Sequence, residues 1–208
     1  YQKEALAYLA PPEDLTVSEW ASKYRVLDEK ASNITGPWKN ERTPYLVGIM
    51  DEFVNYETQE IIFAKPSQCG GTECLLNMLG YLIQQDPSPT MVVYPSDDVA
   101  ARTSVKRIQP MVEAAPTLRS RFRPNGSSKL ELQFDGMFVT LVGSNSPSDL
   151  ASQPMKYLFL DEVDKFPGAS KKEAEPISLA RERTKTYPTR KIFITSTPTL
   201  RTRSEEHT

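Results

Sequence analysis

The strongest pattern along the chain is an alternation of short apolar runs with longer amphipathic stretches. Ile61-Ile62-Phe63, Met91-Val92-Val93-Tyr94 and Tyr157-Leu158-Phe159-Leu160 are too short for helices and rich in β-branched or aromatic residues. With the run from Lys191 to Thr195 they predict strands at 60–64, 91–94, 157–160 and 191–195. Between them, apolar positions recur at helical spacing, predicting helices over 72–85, from about Asp97 to Ala115, and over 176–184. Two further runs, 129–134 and 137–143, flank Asp135-Gly136, a hairpin turn pair. Upstream, Thr16-Val17-Ser18-Glu19 has capping-box spacing and predicts a short helix over 19–24. A turn-rich stretch from Asn33 to Thr43 follows, then a helix over 44–55 that starts on Pro44. Short strands alternating with helices predict an α/β fold, a mainly parallel central sheet flanked by helices on both faces.

Composition narrows the function classes. The chain has 208 residues, enough for a sizeable core, with 38% hydrophobic and 25% charged positions. Its 25 basic and 27 acidic side chains leave a net charge of −2, so any nucleic-acid contact must be a local patch. The helix face carrying Arg102, Lys106 and Arg107 reads first as a solvated face and second as a DNA- or partner-facing patch. No apolar run approaches the roughly 20 residues of a membrane span, and no signal-peptide pattern opens the chain, so the expectation is cytoplasmic and without membrane. The sequence starts at Tyr1 rather than Met and is expected to be a piece of something longer. Cys69 and Cys74 are expected to be free thiols, because the single histidine, His207, cannot complete a zinc set.

Three segments carry candidate chemistry. The first strand runs into Lys65-Pro66-Ser67-Gln68-Cys69-Gly70-Gly71-Thr72-Glu73 and then a helix, an outline in which turn amides and the helix dipole face one anion. Against the phosphate-loop pattern G-x-x-x-x-G-K-[ST], Gly70 and Thr72 fit, but Lys65 stands at the first glycine and Gly71 at the lysine. A plain strand–turn–helix connection has the same outline, so this loop alone decides nothing. The second segment, an apolar strand ending in Asp161-Glu162, delivers two carboxylates to the sheet edge where α/β ligands bind. One can hold the water shell of Mg²⁺ and the next can polarise the water that attacks a γ-phosphate. The third is Thr195-Ser196-Thr197, hydroxyls at the end of a further strand, suited to sensing that phosphate. Trp38 and Tyr45 are either core aromatics or stacking partners for a base. The basic run Arg181, Arg183, Lys185 and Arg190 is a source for a trans-acting arginine, with nothing to choose among them.

In this order the segments resemble the ATPase domain of phage terminase large subunits of the lambda-type GpA family. The likeness covers roughly residues 13–200 and includes Leu15–Ala21, Thr43-Pro44-Tyr45, Tyr94-Pro95-Ser96, Arg107–Met111, Gly143–Leu150, Leu160–Asp164 and Thr195–Thr199. It implies a P-loop NTPase fold of the ASCE type, with residues 1–44 as a lead-in bearing adenine-side elements and 45–200 as the ATPase core. It also implies ATP and Mg²⁺ as cofactors. Lys65 takes the phosphate-lysine role within a nucleotide-binding loop of residues 65–73, with Tyr45 on the adenine. Thr72 and Asp161 hold Mg²⁺, Glu162 is the catalytic carboxylate, and Thr195, Ser196 and Thr197 form a coupling motif. The family's motors package double-stranded viral DNA in the host cytoplasm, as a homo-oligomeric ring docked on the portal protein and assisted by a small terminase subunit. Its nuclease domain lies beyond the coupling motif, outside this chain. The alternatives are a helicase-like P-loop ATPase or a nucleotide-binding module that does not hydrolyse. Residues 201–208 are expected to be a non-native tail, because Arg203-Ser204-Glu205-Glu206-His207-Thr208 matches a translated sequencing adapter.

Overall fold

In the computed structural model, which describes residues 13–28, 34–167 and 175–198, the alternation becomes one sheet with helices on both faces. The capping box forms as expected: the Glu19 N–H donates to Thr16 Oγ1 at 3.3 Å and the Thr16 N–H donates to Glu19 Oε2 at 2.8 Å. It opens α1 (Val17–Tyr24), which leads through a short ladder of β1 (Val26–Leu27) and β2 (Gly36–Pro37) into α2 (Tyr45–Glu52). Strand β3 (Glu60–Ala64) is followed by α3 (Gly71–Gln85), and β4 (Thr90–Tyr94) by a broken helical run. That run comprises α4 (Asp97–Thr103), a π-helical turn over Ser104–Ile108, α5 (Gln109–Ala114) and α6 (Pro116–Arg119). Then come β5 (Phe122–Arg123), β6 (Glu131–Phe134), β7 (Met137–Gly143), α7 (Pro147–Leu150), β8 (Tyr157–Asp161), α8 (Pro176–Glu182) and β9 (Lys191–Ser196).

The sheet has seven strands in the order β3-β9-β8-β4-β7-β6-β5. All pairings from β3 to β7 are parallel, and β6 and β5 add an antiparallel edge through the Asp135-Gly136 hairpin. Strand β9 lies between β3 and β8, the inserted strand of the ASCE arrangement. Its register sets Thr195 beside Asp161 on one side and Phe63 on the other. Alternate residues of the central strands feed two cores. Val92, Tyr94, Phe159 and Phe193 pack with α1, α2 and α3 on one face. Met91, Val93, Leu158, Leu160, Ile192 and Ile194 meet Leu150, Ile177 and Ala180 on the other. Both faces are buried, so the strands read as continuous apolar runs.

The uninterrupted helix expected from Asp97 to Ala115 is corrected. Pro110 has no N–H for the Lys106 carbonyl and its ring crowds that carbonyl, and the helix widens into a π-turn before it. Other boundaries shift slightly: β6 starts at Glu131 rather than Lys129, α2 ends at Glu52 rather than Asn55, and β8 extends to Asp161. Residues 201–208 lie outside the described residues.

Candidate nucleotide site

Parallel pairing carries the ends of β3, β8 and β9 to one edge of the sheet. After Ala64 the chain turns through Gln68 at φ 60 and Gly70 at φ 74, left-handed positions on either side of Cys69. Such alternation turns successive amides toward one concavity. Gly70 precedes α3 directly; its left-handed φ favours glycine, and a Cβ on it would lie 3.1 Å from Leu46 Cδ1, so that side chain would have to give way slightly. The α3 amides that follow, at Gly71, Thr72 and Glu73, are first-turn donors without intrahelical acceptors.

Lys65 is buried. Its N–H donates to the Ser196 carbonyl at 3.0 Å and its Nζ to Thr197 Oγ1 at 2.9 Å. Its stem crosses Gly71: a Cβ there would sit 2.0 Å from Lys65 Cε and 2.5 Å from Cδ. The two departures from the phosphate-loop pattern therefore compensate each other. The lysine arrives from the loop's first residue and fills the space vacated at Gly71. Pro66 follows Lys65 and contributes no amide, while Ser67, Gln68 and Cys69 form the turn. Cys69 and Cys74 are free as expected, and burial pushes the Cys74 thiol up to about 12.

Across the loop stand the acids. Asp161 ends β8 with 4% exposure; its Oδ2 accepts from Thr72 Oγ1 at 3.4 Å, and its Oδ1 has no hydrogen-bond partner. Burial first, then the neighbouring Glu162 charge, pushes its carboxyl up to about 6, against the opposing pull of Lys65. A buried carboxylate with an unspent oxygen facing a hydroxyl fits a hard divalent cation such as Mg²⁺, which takes few protein oxygens and fills its remaining positions with water and phosphate. Among the described residues no group of three or more His, Cys, Asp or Glu side chains could hold a metal. Glu162 has φ 58, a strained left-handed conformation for a side-chain-bearing residue, and its carboxylate pairs with Lys165. Thr195 is fully buried with an unpartnered Oγ1, and Ser196 Oγ accepts from the Asp164 N–H at 3.1 Å. The hydroxyl triplet thus touches both the lysine and the acid turn.

Tyr45 is exposed, and its hydroxyl donates to the Cys69 carbonyl at 3.3 Å, beside the turn. Trp38 is buried, donating from Nε1 to Asn40 Oδ1 at 2.8 Å, and it walls a cavity of about 130 Å³ with Leu27, Thr43, Gly70 and Glu73. That largely apolar cavity opens against the phosphate loop and was not visible in the sequence, because its walls come from separate segments of the lead-in. The basic helix face divides: Arg102 and Lys106 are exposed, while Arg107 turns inward onto Glu73. Of the later basic run, Arg181 pairs with Glu60 at the opposite edge of the sheet and Lys185 with Glu182. A larger cavity, about 240 Å³, also opens at that opposite edge between Tyr81, Lys156, Tyr157 and Arg190, away from Lys65, Thr72 and Asp161.

Comparison with known proteins bears on the family and the fold. The chain is 25% identical over 203 residues to the terminase large subunit of Enterobacteria phage P21, covering 94% of this chain and 31% of that protein. It thus spans about a third of that relative's length. Its fold is similar to the crystal structure of the HK97 bacteriophage large terminase, with a TM-score of 0.72 at 13% identity, over 89% of this chain and 38% of that one. A large terminase from a thermophilic bacteriophage gives a TM-score of 0.53 at 13% identity, over 77% of this chain and 38% of that one. The model of the phage terminase large subunit gpA ATPase domain matches residues 32–206, and the chain belongs to that family.

Proposed function

We propose that the chain binds ATP with Mg²⁺ at the edge formed by β3, β8 and β9 and hydrolyses it to ADP and phosphate. The observation that carries this reading is the Lys65 side chain lying over Gly71, with Thr72 and Asp161 facing each other across the same loop. Lys65 and the turn amides bind the β- and γ-phosphates, helped by the positive end of α3. Thr72 and Asp161 hold Mg²⁺, which when bound neutralises phosphate charge. Glu162 accepts a proton from the attacking water; the new bond joins water oxygen to the γ-phosphorus as the bond to the ADP oxygen breaks. The apolar cavity beside Trp38 takes the base, with Tyr45 at its rim. When Lys65 moves onto phosphate it leaves the Thr197 hydroxyl, which links occupancy to the end of β9.

In the whole protein this hydrolysis drives double-stranded viral DNA into procapsids in the host cytoplasm. The subunits work as a homo-oligomeric ring with the portal protein and the small terminase subunit, and the nuclease lies in the part beyond this chain. One observation favours a second reading, a module that binds without hydrolysing: Glu162 is engaged by Lys165. Equilibrium binding and single-turnover hydrolysis separate the two. Lys65→Ala is expected to weaken ATP binding at least about tenfold, the scale of one charge-assisted contact. Glu162→Gln is expected to keep binding and lose turnover. Hydrolysis undiminished in Glu162→Gln removes it from the catalytic role, and a wild-type protein that binds ATP without turnover establishes the second reading.

A further inference from the structure

We propose that Tyr94 is a positioning residue for the metal-side carboxylate: its hydroxyl donates to the charged Asp161 side chain and fixes it for a divalent cation. The inference rests on the ATP reading above and gives a role to a residue outside the phosphate loop and the acid pair. It starts from the register of three neighbouring strands. Val93 of β4 pairs with Leu160 of β8, so Tyr94 and Asp161, the next residue of each, end their strands side by side. On its other side Asp161 pairs with Thr195 of β9. Side chains alternate across a sheet, and Tyr94, Asp161 and Thr195 keep step with Val92, Phe159 and Phe193. All three therefore rise from the face on which α3 packs.

This row is buried and under-bonded. Tyr94 is 2% exposed and Thr195 fully buried, and the Tyr94 hydroxyl, Asp161 Oδ1 and Thr195 Oγ1 find no hydrogen-bond partner among the described residues. Buried polar atoms are nearly always paired in native proteins, so three idle oxygens in one row call for an explanation. Their chemistry is complementary: two hydroxyl donors flank a carboxylate with an acceptor to spare. The two flanks differ. Thr195 Oγ1 lies under the phosphate loop, 3.1 Å from where a Cβ on Gly71 would be. Tyr94 comes from β4, on the side of Asp161 away from Lys65, where no loop residue competes for its hydroxyl.

A carboxylate offers about four acceptor sites, so a bond from Tyr94, direct or through one water, leaves room for Thr72 and the cation. Hydrogen bonds of this kind, made to a metal ligand rather than to the metal, hold the ligand in its binding orientation. A second tyrosine on the same face supplies the contrast. Tyr157, at the opposite end of β8, is also buried, and its hydroxyl donates to Asp86 Oδ2. That hydroxyl is already spent on the fold, and the Tyr94 hydroxyl is not. An unpaired buried hydroxyl costs stability, and the charged, cation-bound carboxylate is the acceptor that offsets the cost.

The test titrates Mn²⁺, as the cation probe, into the 208-residue chain saturated with ADP and reads the free ion by electron paramagnetic resonance. Urea unfolding of the same proteins without ligand runs alongside. Tyr94→Phe keeps the ring and removes only the hydroxyl. It is expected to weaken Mn²⁺ binding about tenfold and to leave ADP affinity without metal within about twofold. Its unfolding midpoint should stay level or rise, because an unpaired hydroxyl has been removed. Tyr157→Phe should do the reverse, lowering the midpoint and leaving Mn²⁺ affinity within about twofold. Unchanged Mn²⁺ affinity in Tyr94→Phe overturns the inference. So does a midpoint that falls as far as that of Tyr157→Phe, since the hydroxyl would then already be bonded within the fold. In both cases the ATP reading stands if wild type binds ADP and Lys65→Ala does not. A wild-type chain that binds no ADP overturns the ATP reading and this inference with it.

Discussion

Lys65 and Gly71 are interdependent. Only a residue without a Cβ lets the Lys65 stem pass, and only a lysine arriving from the loop's start makes the missing lysine at 71 tolerable. Gly71→Ala should therefore push the Lys65 stem away from the Thr197 hydroxyl and weaken ATP binding about tenfold or more, with little loss of stability because the displaced atoms are the far end of a flexible chain. Gly71→Lys should do the same and add like-charge repulsion, where the phosphate-loop pattern taken alone predicts a gain. Titration calorimetry decides between loss and gain. Asp161 gives a second expectation at this scale. Its carboxyl is raised from an ordinary 3.8 to about 6, so the folded state prefers the protonated acid. Stability from this group is complete below about pH 4 and is lost as pH rises through 6. Asp161→Asn should make the nucleotide-free protein more stable at pH 8 by on the order of 1–2 kcal/mol, an advantage that shrinks toward pH 5 in urea titrations. With Mg²⁺ and nucleotide the order should reverse, because the cation favours the charged carboxylate. The residue types at these positions could be read from the sequence. The crossing of Lys65 over Gly71 and the left-handed Glu162 could not, since both arise from how β9 and β8 end beside the loop.

At the scale of elements, α3 carries the site and α1 braces it. Trp20 is fully buried, donates from Nε1 to Gln84 Oε1 at 2.9 Å, and lies against Gly80, where a Cβ would fall 2.3 Å from its ring. Two effects oppose each other in Gly80→Ala. Helix propensity favours alanine by about 1 kcal/mol, while overpacking against a ring that cannot move costs about 1–3 kcal/mol. Overpacking should win, and the midpoint of urea unfolding should fall. The pattern over 72–85 reveals the helix, because its apolar positions keep their spacing. Nothing local reveals that Gly80 is a contact, since Trp20 lies sixty positions earlier in an unrelated segment. The long helix from Asp97 was the opposite case: Pro110 was visible, and its carbonyl clash with Lys106 was the available signal for the π-turn. The strands of β1, β2 and β5 left no periodic trace because each spans only 2 residues.

At the scale of the molecule, both cores share one set of strands, so the edge that carries Lys65, Asp161 and Thr197 is continuous with the interior on both faces. Ligand occupancy should therefore register as global stability. A nucleotide that binds only the folded state stabilises it by about 2.7 kcal/mol at a hundred times its dissociation constant. For a chain of this size that raises the thermal midpoint by about 5–10 °C. A non-hydrolysable ATP analogue with Mg²⁺ should produce that shift in the wild type. Lys65→Ala should abolish it at the same concentration, while leaving the unliganded midpoint within a few degrees. The comparison isolates the site from the fold: a variant that loses the shift and keeps its own midpoint has lost phosphate contacts, whereas one that loses both has lost packing. A wild type that does not shift at saturating analogue and Mg²⁺ would overturn the ATP reading.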